Sequence, residues 1–268
     1  MSHLLRDLAP VTDEGWQQID DEARRSLKLH LAARRLVDFV GPLGWTHAAI
    51  ADGRVEGVGA TAIDGVEAQV RTVLPLVEFR TGFAVRRSEI EAADRGATSL
   101  DLDAVISAAR TAALAEDGAI FHGFESGGIL GICSMSPHEP IAIGDDFERY
   151  PVYVAKAVGT LRAADIGGPY AIAMGTSAYT GVIETAEGGG YPVLEHLGKI
   201  LGGPILWAPA VEGAVVLSQR GGDYELTVGQ DFSVGYHSTD ATQVRLYLEE
   251  SLAFRVKSPE AAVALSHK

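Results

Sequence analysis

The stretch at residues 48–85 constrains most strongly what this chain can fold into. It reads AAIADGRVEGVGATAIDGVEAQVRTVLPLVEFRTGFAV, with short apolar residues spread between glycines. This pattern predicts the two extended arms of a long hairpin. An isolated hairpin is marginally stable in water, and these arms lack the bulky side chains that would bury a core. We therefore expect them to rest on another surface, and a neighbouring subunit is the simplest source of one.

Composition excludes several classes of partner. The chain has 268 residues, 47% of them hydrophobic, which is enough for one large domain or two small ones. Its 36 acidic and 22 basic residues give a net charge of −14, which argues against nucleic acid and anionic membranes as partners because both need a basic face. The charge either keeps the protein soluble or lines a surface that meets cations.

The cysteine count and the lengths of the apolar runs indicate the compartment. The single cysteine, Cys133, excludes an internal disulfide and favours a reducing, cytosolic compartment. No apolar run reaches membrane-spanning length, and the N-terminal residues lack the basic and apolar regions of a signal peptide.

Apolar periodicity predicts two long helices. The first is capped by Thr12 and runs to about residue 35; its stripe is Trp16, Ile19, Ala23, Leu27 and Leu31. The second covers about residues 100–122. Its buried stripe is Leu102, Val105, Ile106, Ala109 and Ala113, with Ala108, Ala112 and Ala115 permitting close packing.

Helices and strands alternate in residues 135–220, which predicts an α/β subdomain. Beyond it, residues 221–236 alternate as a half-buried strand pair, so Asp223 and Asp231 are interpreted as turn residues rather than as acids or bases. Residues 244–256 predict an unusually long strand. Glu250 is the one polar residue on its apolar face, and we expect it to mark a bend.

Known catalytic motifs are absent. There is no G-x-S-x-G, no Walker loop and no G-x-G-x-x-G between a strand and a helix. The eight histidines never pair at metal-binding spacing. We therefore predict neither catalytic residues nor a metal site.

Stretches along nearly the whole chain resemble the family-one encapsulins, the linocin-like shell proteins of bacterial nanocompartments. Together they are highly specific, and they follow the family's order. They are LLRDLAPVTDEGWQQIDDEAR and RRLVDFVGP.GW near the start, ADRG (93–96), EDGAIFHG (116–123), IGGPYAIAM (166–174), GYPVLEHL (190–197), RGGDYELTVGQDFSVGY (220–236) and VRLYLEESLAFRV (244–256).

The resemblance implies an α+β fold of the tailed-phage major capsid type. The implied parts are an N-terminal arm helix leading into the peripheral domain (1–47), an extended loop (48–86), a peripheral domain with a long spine helix (87–134), an axial domain (135–220) and the C-terminal strands of the peripheral domain (221–268).

The implied function is mechanical. Many copies, commonly sixty in a T=1 icosahedral shell, would enclose a cargo enzyme in the cytoplasm, with pores for small molecules and ions. The cargo would be a dye-decolorising peroxidase or a ferritin-like protein, which links the chain to oxidative stress and iron storage.

A C-terminal targeting peptide of the cargo would dock between the first helix and the late strands. By the resemblance, the docking residues are Leu27, Leu31, Arg34, Asp38, Val228, Asp231, Phe232 and Val234. Simple core packing is the alternative role for each apolar member.

The loop at 184–191 resembles the one that rims the five-fold pore in this family. A mobile acidic ring that attracts Fe²⁺ would be formed by Glu184, Glu187, Gly188, Gly189, Gly190 and Tyr191. The alternative is a surface loop with no gating role. Some encapsulins stack a flavin on an aromatic residue; Ser88 stands at that position here and cannot stack, so we expect no flavin and no other cofactor.

Two other functions remain open. A phage capsid protein would share the fold but enclose DNA, which the charge of −14 and the lack of a basic N-terminal arm oppose. An enzyme, for example a protease, or a bacteriocin would belong to a different class, and the sequence offers no nucleophile–base set for an enzyme.

Overall fold

The computed structural model describes residues 3–267 and contains both helices and strands. The helices are α1 (Asp13–His30), α2 (Arg87–Asp94), α3 (Asp103–His122), α4 (Ile132–Met135), α5 (Tyr150–Ala163), α6 (Thr176–Glu184) and α7 (Val193–Leu201). The strands are β1 (Asp38–Val40), β2 (Ala49–Ala60), β3 (Glu67–Pro75), β4 (Val77–Arg86), β5 (Ile141–Ile143), β6 (Tyr170–Met174), β7 (Gly202–Trp207), β8 (Ala214–Ser218), β9 (Tyr224–Val228), β10 (Ser233–Thr239), β11 (Gln243–Val256) and β12 (Ala262–His267).

The N-terminal helix begins and ends for different reasons. Its start is local: Thr12 Oγ1 accepts a hydrogen bond from the Gly15 N–H, as predicted. Its end is at His30, not near residue 35, and a 3₁₀ turn at Ala33–Arg35 follows. The buried Asp117 carboxylate accepts hydrogen bonds from the N–H groups of Ala32 and Ala33 at 2.8 and 3.1 Å, and these hold the turn.

The first sheet is organised around β11, the long strand that the sequence predicted. On one edge β11 pairs with β4; on the other it pairs with β10 and then β9, and β1 extends β9 in parallel. The predicted bend at Glu250 is wrong, because Glu250 lies in an unbroken ladder opposite Phe79. The charge at this position has another cause, described below.

Helix α3 packs against α1, β4 and β11. Most of its predicted stripe is buried, and Val105, Ala109 and Ala113 have almost no exposed surface. Ile106 is only half-buried and Ala115 is exposed, which corrects the prediction at those two positions.

The predicted hairpin is shorter than residues 48–86. Its arms are β2 and β3, which pair only with each other, and the Leu76 N–H donates to the Ala48 carbonyl at the base. Residues 77–86 instead form β4, because their alternating side chains pack on the main sheet and end at the buried Val85. None of residues 37–84 is buried.

The second sheet has the strand order β5-β12-β8-β6-β7 and forms the core of the α/β subdomain. Every residue of β6 and β8 is buried. The C-terminal strand β12 pairs with β8 and β5. The assignment of all of residues 221–268 to the first sheet's domain is therefore wrong: the apolar side chains of Ala262, Val263 and Leu265 complete this core instead.

Candidate functional site

A groove of about 500 Å³ lies between α1 and the chain that leads into β10. Leu27 and Leu31 line it from α1, where the helical period places them on one face. Phe232 and Val234 line the opposite wall, and Leu248 of β11 lies beneath. Apolar walls with charged groups at the rim are typical of peptide-binding grooves.

Six of the eight predicted docking residues line this groove: Leu27, Leu31, Arg34, Asp231, Phe232 and Val234. The other two do not. Val228 is fully buried in the core beside the second sheet. Asp38 accepts a hydrogen bond from the Gly222 N–H at 2.7 Å and lines a separate, smaller cavity. These two residues hold β1 and β9 in place rather than facing the groove.

Arg34 is the most heavily bonded charge in the groove. Its guanidinium binds Glu116 through Nε and Nη2 at 2.6–2.9 Å, Asp231 through Nη1 at 2.8 Å and Glu250 through Nη2 at 3.0 Å. Burial alone would lower the pKa of Arg34, but the hydrogen bonds and charge of Glu116, with the charges of Glu250 and Asp231, raise it above its ordinary value.

Two aromatic rings flank the same guanidinium. The Phe39 and Phe232 ring centroids lie 5.3 and 5.1 Å from the Arg34 Cζ, within cation–π range. Phe39 is 39% exposed despite this contact. Arg34 therefore presents a fixed, partly desolvated cation at the end of an apolar groove.

Sequence reasoning missed Glu116 and Glu250, which are fully buried and bind Arg34. A signal was present: Glu250 is a charge on the apolar face of a strand, and buried charges occur almost only when paired. Asp117, the neighbour of Glu116, was missed too. Burial raises the pKa of Asp117 to about 7, against the effect of the two backbone donors.

The N-terminal segment closes the other end of the groove. Arg6 donates from Nε to the Val234 carbonyl at 2.8 Å and binds Asp20. Its guanidinium also lies 4.3 Å from the Trp16 ring centroid. The segment is thereby fixed to both walls.

The predicted pore loop is tied together by hydrogen bonds. The Glu187 carboxylate lies 2.6 Å from His196 Nδ1. The backbone N–H of Glu187 donates to the Tyr191 carbonyl at 2.9 Å. A hydrogen bond with Tyr191 raises the pKa of Lys199. Glu184 and the three glycines, Gly188, Gly189 and Gly190, are exposed. His196 thus contacts Glu187 and Lys199 contacts Tyr191, and the sequence prediction included neither basic residue.

Features that would suggest other sites are few. Within residues 3–267, no group of three or more His, Cys, Asp or Glu side chains is placed to hold a metal ion. In the same range, no helix is both long and apolar enough to span a bilayer. Ser88 is exposed in the first turn of α2.

Comparisons with known proteins point in one direction. A family model described as "Encapsulating protein for peroxidase" matches residues 1–253. The chain is 47% identical to the type 1 encapsulin shell protein of Rhodospirillum rubrum, over 99% of this chain and 96% of the relative. It is 43% identical to that of Mycobacterium tuberculosis, over the full length of both.

Solved structures establish the fold. The chain resembles a virus-like particle from Pyrococcus furiosus with a TM-score of 0.68 and 16% identity, over 93% of this chain and 98% of that one. The capsid of Myoviridae phage XM1 gives a TM-score of 0.55 and 12% identity, over 89% and 92%. The predicted α+β fold of the tailed-phage capsid type is confirmed.

Proposed function

The chain belongs to the family of type 1 encapsulin shell proteins, and we propose that about sixty copies close into a T=1 icosahedral shell around a cargo enzyme. The cargo we propose is a peroxidase or a ferritin-like protein that enters by a C-terminal targeting peptide. Family membership carries the proposal, and the exposed hairpin β2–β3 supplies its physical reason.

Within residues 3–267, the strands of the hairpin pair only with each other, and none of their residues is buried. Six of its large apolar side chains are about half exposed or more: Val55 (53%), Val58 (58%), Ile63 (67%), Val66 (49%), Val70 (54%) and Val73 (51%). Contiguous exposed apolar surface of this kind marks interaction sites in soluble proteins. Neighbouring copies in a shell would bury it.

Electron microscopy of the purified chain tests the assembly. We expect hollow particles of uniform diameter that elute as one early peak in size-exclusion chromatography. Monomers or dimers at every workable concentration would contradict the proposal, and turnover of a substrate by such species would favour an enzyme instead.

The groove is the proposed dock for the targeting peptide. Apolar peptide side chains would fill the space between Leu31 and Phe232, while Arg34 and Asp231 would fix the register through charge. In Leu31→Asp and Phe232→Asp shells, we expect intact particles without cargo. Leu29→Asp is the matched control, because Leu29 lies on α1 but is 63% exposed and outside the groove. Normal cargo co-purification with the Leu31→Asp and Phe232→Asp shells would refute the dock.

The loop at 184–191 is the proposed cation passage. Glu187 and Glu184 would attract Fe²⁺ to a ring of loops, and His196 Nδ1 lies 2.6 Å from the Glu187 carboxylate. We expect Glu187→Gln shells to take up iron more slowly than wild type. Glu195→Gln, an exposed change on α7, is the control. An uptake rate unchanged by Glu187→Gln would favour a loop with no role in permeation.

The same proposal assigns the shell no chemistry of its own. We propose that it is not an enzyme, lies in the cytoplasm and binds neither flavin nor nucleic acid nor membrane. The net charge of −14 and the absence of an aromatic ring at Ser88 support this. The absorption spectrum of cargo-free particles should be that of protein alone, and a flavin or nucleic-acid band would contradict it.

A further inference from the structure

A cluster of charged side chains, most of them buried, lies behind the groove. It contains more carboxyl groups than Arg34, its cation, can balance. Arg34 comes from the 3₁₀ turn, Glu116 and Asp117 from α3, Glu250 from β11 and Asp231 from the turn before β10. The side chains of Glu116 and Glu250 are fully buried, whereas that of Asp231 is 42% exposed. Asp117 faces the backbone of residues 32 and 33.

The two fully buried glutamates bind Arg34 unequally. Glu116 forms a forked contact in which both carboxyl oxygens accept, at 2.8, 2.9 and 2.6 Å. Glu250 makes one contact, at 3.0 Å, through Oε2. Its Oε1 is buried, and among residues 3–267 no hydrogen-bond donor faces it. The forked pairing suits an ionised carboxylate, while the single contact leaves one oxygen unsatisfied.

Two ionised carboxylates side by side in a dry site repel each other strongly, and a proton on one of them removes the repulsion. A proton on Glu250 also gives it a donor for Glu116, which binds the same Arg34 Nη2 atom, and the unsatisfied oxygen then has a partner. Burial and the charge of Glu116 raise the pKa of Glu250 well above its ordinary value, against the opposing charge of Arg34. The Phe39 and Phe232 rings keep water from the arginine's flanks.

We propose that Glu250 carries a proton at neutral pH and donates it to Glu116, and that this acid pair is the positioning element that fixes Arg34 at the end of the groove. The role of Arg34 in docking rests on the proposed function; the proton between the glutamates does not. Loss of the proton at alkaline pH places a second full negative charge beneath Arg34 and loosens the contact between the 3₁₀ turn, α3 and β11.

A matched pair of variants separates this from a merely structural role. Glu250→Gln copies the protonated acid, because its amide donates to Glu116 and accepts from Arg34. We therefore expect it to assemble normally and to lose the part of the wild-type fall in urea-unfolding midpoint that begins near the ordinary carboxyl pKa, at about pH 4, and continues as pH rises. Glu116→Gln removes the carboxylate that balances Arg34, so we expect a clearly lower midpoint at pH 7. Equal losses in both variants, or a Glu250→Gln chain that does not fold, would overturn the proposal.

Infrared spectroscopy detects the proton on Glu250 directly, and the measurement needs no cargo peptide. Because Asp117 also titrates near neutrality, the spectra are recorded in an Asp117→Asn background. We expect the carbonyl band of a protonated carboxyl at pH 7, and its loss on Glu250→Gln. No difference between the two spectra would overturn the proposal.

Docking is measured separately, with a fluorescent protein that carries the C-terminal tail of a family peroxidase. We expect Glu250→Gln shells to retain this probe within about twofold of wild type and Glu116→Gln shells to lose more than about tenfold. If no shell, wild type included, retains the probe while the infrared result holds, the docking function fails and the proton assignment stands. Equal retention by both variants would overturn the positioning role.

Discussion

The hairpin β2–β3 and the sheet β5-β12-β8-β6-β7 are both built from strands that carry apolar side chains, yet they differ in what covers them. Every residue of β6 and β8 is buried, whereas none in the hairpin is. The difference is the partner: α5 packs against β5, β8 and β12, while the hairpin strands pair only with each other. The second sheet is therefore covered by helices of its own chain, whereas the hairpin needs neighbouring copies to cover it.

The largest expected effect breaks the hairpin's contact with other copies. Val58→Asp with Val70→Asp places charges on exposed apolar positions, and we expect particles to be lost while the subunit stays folded. Size-exclusion chromatography and circular dichroism report the two properties. Gln69→Asp is the control, because it adds one negative charge to β3, beside Val70, at a position that is already polar. Normal particles from the double variant would remove the hairpin from the interface.

The next effect compares the two regions by truncation within non-assembling Val58→Asp/Val70→Asp subunits. Ile172→Ala in β6 removes a fully buried side chain and should lower the free energy of unfolding by about 2–5 kcal/mol. Val73→Ala in the hairpin should change it by less than about 0.5 kcal/mol. Urea unfolding gives both values, and similar losses would show that the hairpin is already packed in the single subunit.

The body of the subunit also contains the buried acids that make stability depend on pH. Asp117 has a raised pKa, about 7, so the folded state binds its proton more tightly than the unfolded state. Its contribution is full at low pH and is lost as pH rises from about 4 to about 7. We expect wild-type stability to fall across this window by an amount on the order of a few kcal/mol.

Asp117→Asn is the matched change for this prediction. It keeps one of the two oxygens that accept from the Ala32 and Ala33 N–H groups but cannot ionise, so the fall between pH 4 and 7 should become smaller. A wild-type profile that rises with pH across the window would contradict the assignment.

The smallest expected effect concerns the loop at 184–191. The Glu187–His196 pair is 32% and 40% exposed, and pairs of this kind contribute about 0–1 kcal/mol. Glu187→Gln should therefore leave the thermal unfolding midpoint nearly unchanged, even if cation uptake slows. A large fall in the unfolding midpoint would show instead that the Glu187–His196 pair stabilises the fold.

Local chemistry made some features predictable and distance hid others. Thr12 caps α1 through a residue three positions away, so the helix start could be read from sequence. The helix end could not, because Asp117 lies 84 positions beyond Ala33. The same holds for Glu250, whose partner Arg34 is 216 positions away, so the residues around Glu250 in the sequence do not show why a charge stands on this apolar face.

The site was predictable to the extent that it follows helix and strand periodicity. Leu27 and Leu31 lie on the groove face of α1, as the spacing requires, and Phe232 and Val234 share one face of the opposite wall. Val228 has the same parity as those two but precedes the turn at Gly229, and the backbone there carries it into the core. The sequence does not predict which sheet contains β12, because a short apolar run of this kind fits either sheet. The structure pairs it with β5 and β8.

Hydrogen exchange of the hairpin amides tests most directly whether this region is completed by other copies. It is measured by mass spectrometry on assembled particles and on non-assembling Val58→Asp/Val70→Asp subunits, with peptides from β6 and β8 as the internal reference. We expect the peptides of residues 49–75 to exchange slowly in particles and rapidly in subunits, while the β6 and β8 peptides stay protected in both. Equally rapid exchange of residues 49–75 in intact particles would contradict their burial between neighbours.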